Sequence, residues 1–323
     1  MPRCRTPGYC PRLARPERGA AIMAVRFAQI SDPHLSSLDS VDWRELLNKR
    51  LLGYLSWRRK RRHEHRGEVL EALQRDLQKQ ELAQLLVTGD LTHVGLPKEF
   101  GEARAWLQRL GNPADVAVVP GNHDAYVRSV WDKTFAQWRE YMQSDEAGAA
   151  EQLFPSLRVR GELAFIGLSS AVPKPPLLAT GTLGEEQLER LAQVLAETRE
   201  RGLFRVVYLH HPLLAGSEKW RKRLTDAAGL RAVLAECGTE MVLHGHGHRA
   251  TLGELPTRHG PAPVFAVPSA SAMGLHGADH ARYNCYAVER EGERWRLEVE
   301  SHAYDCQRGE FLPERSRAFS LAR

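Results

Sequence analysis

The sequence predicts an α/β fold built on a parallel sheet. Two observations carry that prediction. Short apolar runs of strand character alternate with stretches of helical period, the grammar of β-α-β units. Clusters of Asp, Asn and His fall where the apolar runs stop, and ligand sites of α/β sheets lie beyond the carboxyl ends of strands.

The elements follow in order. Val25-Arg26-Phe27-Ala28-Gln29-Ile30 alternates like a strand and stops at Ser31-Asp32-Pro33-His34. Val69, Leu70, Leu73 and Leu77 keep a helical period within residues 66–80. Leu82 to Thr88 is a second strand, ending at Gly89-Asp90. Pro97 to Leu110 reads as a helix with its proline in the first turn. Val116 to Val119 is a third strand, ending at Pro120-Gly121-Asn122-His123-Asp124. The second half repeats the pattern: strand Leu163–Leu168, helix Gly184–Arg201, and strand Phe204–Leu209 ending at His210-His211-Pro212. Helix Asp226–Glu236 and the short strand Met241–Leu243 come next, ending at His244-Gly245-His246-Gly247-His248. From Val264 onward the chain reads as strands, at Val264–Val267, Cys285–Arg290 and Trp295–Ser301. No internal repeat appears, and no linker marks a boundary, so residues 23–323 are expected to form one domain.

Composition sets the outer limits. The 323 residues are 42% hydrophobic and 26% charged, which is ordinary globular usage and excludes wholesale disorder. No apolar run reaches the roughly eighteen residues of a membrane-spanning helix. Residues 1–22 are rich in Arg and Pro, lack the apolar centre of a secretory signal, and are expected to be a disordered extension. Cys4, Cys10, Cys237, Cys285 and Cys306 are odd in number and scattered, which points to reduced thiols in a cytoplasmic protein. The net charge of +5 is uneven. Five Arg against Glu17 give residues 1–22 a charge of +4, and nine Lys or Arg against Glu45 and Glu64 give residues 44–66 a charge of +7, leaving −6 for the rest. An acidic body offers no extended groove for nucleic acid, so that partner is not expected.

Five strand ends present Asp32 with His34, Asp90, Asn122 with His123, His210, and His246 with His248. Carboxylate, imidazole and amide carbonyl together suit borderline divalent metals such as Mn, Fe, Co or Zn. A carboxylate between two cations, the role given to Asp90, would hold them about 3.5–4 Å apart, as in two-metal hydrolases. Each piece alone is ordinary turn or cap chemistry. All five in one order, each ending an apolar strand, are not.

Asp32-Pro33-His34, Gly89-Asp90, Gly121-Asn122-His123-Asp124, His210-His211-Pro212 and Gly245-His246-Gly247-His248 resemble the five signature blocks of calcineurin-like metallophosphoesterases. The resemblance covers about residues 25–250. It implies a four-layer α/β/β/α sandwich with a dinuclear site between the sheets. One metal would take Asp32, His34, Asp90 and His248, the other Asp90, Asn122, His210 and His246. Two divalent ions, Mn, Fe or Zn, would activate water for in-line attack on a phosphate-ester substrate. It also implies that His123 contacts the phosphoryl group and assists the leaving oxygen, with Asp124 orienting its ring. His93 stands where relatives resembling bacterial cyclic-nucleotide phosphodiesterases often have Asp, within Gly-Asp-Leu-Thr-x-x-Gly. His93, His211 and His244 are each open to two roles, substrate contact or turn residue.

Residues 43–62 form a basic insertion between the first two blocks. On a continuous helix Trp43, Leu47, Leu51 and Tyr54 share a face, with a cationic run following. Such a segment would lie on an anionic membrane surface with Trp57 at the interface, or serve a lipid-linked substrate; the alternative is a core-packed helix and a solvated turn. The expected function is hydrolysis of a phosphodiester or phosphoanhydride, on a cyclic nucleotide or a nucleotide-linked lipid such as UDP-diacylglucosamine. The alternatives are a catalytically inactive scaffold of the same fold and a metal-dependent nuclease. The expected location is cytoplasmic, with peripheral attachment to the inner face of the membrane.

Overall fold

The computed structural model describes residues 24–146, 153–275 and 279–323. The expected extension at 1–22, with Cys4 and Cys10, lies outside the described residues. Among the described residues, twelve strands form two six-stranded sheets. β1 (Val25–Ile30), β2 (Gln84–Val87) and β3 (Val116–Val118) pair in parallel. β10 (Arg282–Glu291), β11 (Arg294–Asp305) and β12 (Glu310–Ala322) extend that sheet antiparallel, in the order β12-β11-β10-β1-β2-β3. The second sheet is assembled from β4 (Ser156–Arg160), β5 (Leu163–Gly167), β6 (Phe204–Tyr208), β7 (Met241–His244), β8 (Thr251–Leu255) and β9 (Ala262–Ala266). Its order is β4-β5-β6-β7-β9-β8, with β5, β6, β7 and β9 parallel.

Strand alternation sorts the side chains into layers. Phe27, Leu86, Ala117, Phe204, Val206, Met241 and Leu243 meet between the sheets. The intervening Ala28, Ile30, Leu85 and Val87 pack instead against the helices Gly67–Leu77 and Pro97–Leu110, through Leu73, Phe100 and Leu107. On the far side Val207 and Val242 meet the helices Glu185–Glu200 and Ala227–Cys237, through Leu191, Leu195, Leu230 and Leu234. Three apolar layers between four layers of secondary structure make the α/β/β/α sandwich. Parallel strands buried on both faces explain why the sequence shows continuous apolar runs.

Three strands escaped sequence reading: β4, β8 and β12. All three are sheet edges. Edge strands carry charge and proline because they have one neighbour, and β12 holds Pro313 at a register shift opposite His302.

The insertion departs from the predicted continuous helix. A short 3-10 turn, Trp43–Leu46, is separated at Leu47 from a helical run over 50–64 that widens to a π-turn at Trp57–Arg61. Trp57, expected at a membrane interface, is 3% exposed and packs with Leu38, Val94 and Leu96. Leu46 is also buried, whereas Trp43 (65% exposed), Leu47 (71%), Leu51, Leu52 and Leu55 face outward. Two of its cations are fastened to the body: Lys49 donates to the carbonyls of Tyr126 and Lys174, and Arg50 to those of Val94 and Gly95.

Candidate metal centre

The predicted ligands converge where β1, β2, β3, β6 and β7 end. Asp32, His34 and His248 bring ligand atoms within 4.8 Å of one another, as do Asp32, Asp90 and His210. Nε2 of His210 lies 3.2 Å from Oδ1 of Asn122, 3.1 Å from Nδ1 of His246 and 3.4 Å from Oδ2 of Asp90. Nε2 of His248 is 3.1 Å from Oδ1 of Asp32. All seven residues are thus drawn to one place, and only His248 keeps appreciable exposure, at 30% for its side chain.

The second atoms of these side chains fix their orientation. Nδ1–H of His210 donates to the Thr88 carbonyl at 2.7 Å, and Nδ1–H of His34 to the Thr92 carbonyl at 3.0 Å. Each ring therefore turns Nε2 toward the cluster, the arrangement metal-binding histidines adopt. Oδ2 of Asp32 accepts from the Ser31 hydroxyl and from the backbone N–H of His246, leaving Oδ1 buried with Nε2 of His248 beside it. Nε2 of His246 is buried and, among the described residues, without a partner. Polar atoms in that condition are costly unless something pairs with them. Oxygen and nitrogen ligand atoms gathered this closely, with the carboxylates of Asp32 and Asp90 among them, fit a pair of divalent cations.

Backbone conformation supports the same place. Asp32, His34, Asp90, His246 and His248 all adopt positive φ, between 44° and 68°. Residues with a side chain rarely tolerate that region, and such strain gathers at functional sites. Two glycines are required by close approach. A Cβ on Gly121 would overlap Oδ1 of Asp90, and one on Gly245 would overlap the Ser31 hydroxyl.

Residues 25–250 match the family model for Calcineurin-like phosphoesterase. The chain belongs to the calcineurin-like phosphoesterase family. A probable cyclic nucleotide phosphodiesterase of Synechococcus sp. is 30% identical over 174 residues, 51% of this chain and 58% of that relative. This chain therefore matches little more than half the length of that relative. A dimetal phosphatase from Danio rerio shares the fold at a TM-score of 0.53 and 14% identity, over 93% of this chain and 99% of its own.

In this family member His211 brings a ring nitrogen within 4.8 Å of those of His210 and His246, yet the pair has different partners. His210 faces the cluster, while His211 turns Nδ1 to the Ser170 hydroxyl and Nε2 to the Ala179 carbonyl. His244 is buried at the end of β7, with Nδ1 against the Gly245 carbonyl, and burial depresses its pKa to about 4. His93 stacks on His34 at 5.1 Å between centroids, and burial with the charge of Arg61 lowers it to about 3. None of the three lines the cleft over the metal ligands.

Asp124 does something other than orient His123. Its Oδ2 accepts from the backbone N–H of Asp90 and Gly121, and its Oδ1 from the N–H and hydroxyl of Thr92. Its carboxylate pins the Asp90 and Asn122 turns together; burial and the charge of Asp90 push it up to about 7. The orienting partner of His123 is a backbone group, the His93 carbonyl, 2.6 Å from Nδ1. Burial and the charge of Arg61 hold the His123 imidazole well below its ordinary pKa.

The cleft over the cluster has a volume of ≈ 360 Å³, and Asp90, Asn122, His123, His246 and His248 line it. So do Lys60, Arg61, His65 and Lys222, none of which was predicted as a site residue. His65 sits against the His34 ring at 4.5 Å, with Nδ1 on the Ser271 hydroxyl. Arg61 and Lys60 belong to the cationic run, whose density was the sole sequence signal for them.

Proposed function

We propose that this chain is a dinuclear-metal-dependent phosphohydrolase that cleaves a phosphodiester or phosphoanhydride bond. The observation that carries it is the convergence of seven O and N ligand side chains, five with strained backbone, beneath a cleft lined by His123 and cations. The metal ligands are Asp32, His34, Asp90 and His248 on one side and Asp90, Asn122, His210 and His246 on the other, and Mn, Fe or Zn suits that donor set. When bound, such a pair of cations lowers the pKa of water and offsets charge on phosphoryl oxygens.

The protein's own groups supply the rest. The His93 carbonyl holds Nδ1–H of His123, which leaves Nε2 as the ring atom available to substrate. A phosphate anion beside the ring favours its protonated form, so Nε2–H can donate to the leaving oxygen. Asp124 holds the two turns that carry Asp90 and Asn122. Because every expected ligand type is present, an inactive scaffold is the weaker reading.

A cyclic-nucleotide-like diester is the favoured substrate class, supported by the likeness to the probable cyclic nucleotide phosphodiesterase of Synechococcus sp. and by a compact cleft. The second reading is a lipid-linked nucleotide of the UDP-diacylglucosamine type. Its support is the outward apolar row of Trp43, Leu47, Leu51, Leu52 and Leu55 beside exposed Arg58, Arg59 and Arg62. That row would also seat the enzyme on the inner face of an anionic membrane; among the described residues no helix is long and apolar enough to cross one.

A Mn²⁺-supplemented panel of cyclic AMP, a nitrophenyl diester, UDP-diacylglucosamine and single-stranded DNA tests the proposal. Hydrolysis of a small diester or of the lipid-linked nucleotide is the expected result. Turnover confined to DNA would point instead to a nuclease, and no turnover at all to a scaffold.

A further inference from the structure

Arg61 lines the cleft with no carboxylate of the described residues in direct contact. Among the described residues it takes part in no ion pair, and neither do Lys60 and Lys222, which line the same cleft. Its Nη1 lies 3.2 Å from Nδ1 of His123. That nitrogen already gives its proton to the His93 carbonyl at 2.6 Å, so the approach brings two donors together and does not satisfy the guanidinium. Burial works against the charge of Arg61, and the attraction that most opposes this comes from Asp90, followed by Tyr126 and Asp32. Asp90 and Asp32 are the carboxylates assigned to the metals. Once cations share their charge, Arg61 faces a positive cluster, and Glu99, the last and weakest of these attractions, is the carboxylate left to it.

The backbone delivers this side chain deliberately. Trp57 anchors one end of the π-turn Trp57–Arg61 in a pocket with Leu38, Val94 and Leu96. Beyond the turn, the Glu64 carboxylate accepts the backbone N–H of Gly274 and Leu275, and the Arg66 N–H donates to the Ser271 carbonyl. Arg58, Arg59 and Arg62 remain exposed while Arg61 is drawn inward. Widened turns of this kind recur at functional sites. A planar guanidinium offers two parallel N–H groups, the shape that grips two oxygens of one phosphate.

We propose that Arg61 binds non-bridging oxygens of the substrate phosphoryl group, opposite the metal ligands and beside His123. The insertion is then part of the active site. Its cationic run has two faces, with Arg61 serving the phosphoryl group and its neighbours left outside. This rests on the phosphohydrolase proposal above and adds a substrate contact that the five signature blocks do not contain.

The test is calorimetric titration of the Mn²⁺-loaded protein with inorganic phosphate, alongside elemental analysis and hydrolysis of a nitrophenyl diester. R61Q is expected to weaken phosphate binding by about tenfold or more, the scale of a lost charge-assisted hydrogen bond, with metal content unchanged. R61K, which keeps charge but not the fork, should fall between the two and carries the test if R61Q does not fold. R75Q removes an exposed charge elsewhere and should match wild type. A wild type that hydrolyses the diester and binds phosphate, with R61Q and R61K its equals, overturns the role of Arg61 and leaves the phosphohydrolase proposal standing. Loss of metal from R61Q also overturns it, since Arg61 would then be holding the ligand cluster. A wild type that neither binds phosphate nor hydrolyses the diester overturns the reading on which the inference rests.

Discussion

The backbone N–H of His123 donates to Oδ1 of Asp90 at 2.7 Å. The carboxylate proposed to bridge the metals is therefore also the group that sets the height of the turn carrying Asn122 and His123. Asp90→Ala removes the bridge and frees that turn, so activity and most bound metal should be lost together. Elemental analysis of variant and wild type checks this. Normal metal content with wild-type turnover would contradict the bridging role.

His123→Ala should behave differently, because no metal ligand is removed. Turnover is expected to fall by about 10²-fold or more with metals retained, the scale of a positioned proton donor. The loss should shrink for a nitrophenyl leaving group, which needs little protonation. Equal losses for nitrophenyl and alkyl diesters would move His123 from proton donor to phosphate contact.

His210 gives the metal-free protein a pH signature. Burial works against its imidazolium, but Asp90, 3.4 Å away, prevails and raises the pKa from 6.5 to about 9. Since the folded pKa is the higher one, this pair stabilises fully below about pH 6.5 and the contribution is lost as pH rises through about 9. Cation binding needs that proton removed, so metal affinity should rise across the same window. Thermal melts of stripped protein should show a falling Tm between about pH 6.5 and 9, and His210→Asn should flatten that fall. An identical slope in the variant would assign the effect elsewhere.

Membrane attachment would use the charges left outside the cleft. Wild-type protein should sediment with phosphatidylglycerol vesicles at low salt and release as salt shortens the roughly 10 Å reach of surface charge. Replacing Arg58, Arg59 and Arg62 with Gln should weaken that sedimentation. A wild type that ignores such vesicles at low salt removes the membrane role.

The sequence made the parallel centre of the fold legible because strands buried on both faces are apolar without interruption, as Leu85-Leu86-Val87 and Val206-Val207 are. Edge strands β4, β8 and β12 were not legible because charged residues interrupt them, whereas the fourth edge, β3, is apolar and was. The ligand set could be read because each ligand sits within a few residues of a strand end. Asp124 was misjudged because its partners are backbone amides brought in from Asp90 and Thr92, which residue type does not encode. Arg61 and His65 stayed hidden for a related reason. They reach the cleft only because Trp57 is buried and Glu64 grips the 274–275 backbone, both tertiary facts.

One cluster of side chains is proposed to hold two cations over which a phosphate ester is cleaved. An anomalous-difference map from crystals of the Mn²⁺-loaded protein tests it most directly. Two peaks are predicted, one among Asp32, His34 and His248 and one among Asn122, His210 and His246, with Asp90 touching both. A single peak, or peaks away from Asp90, would contradict it.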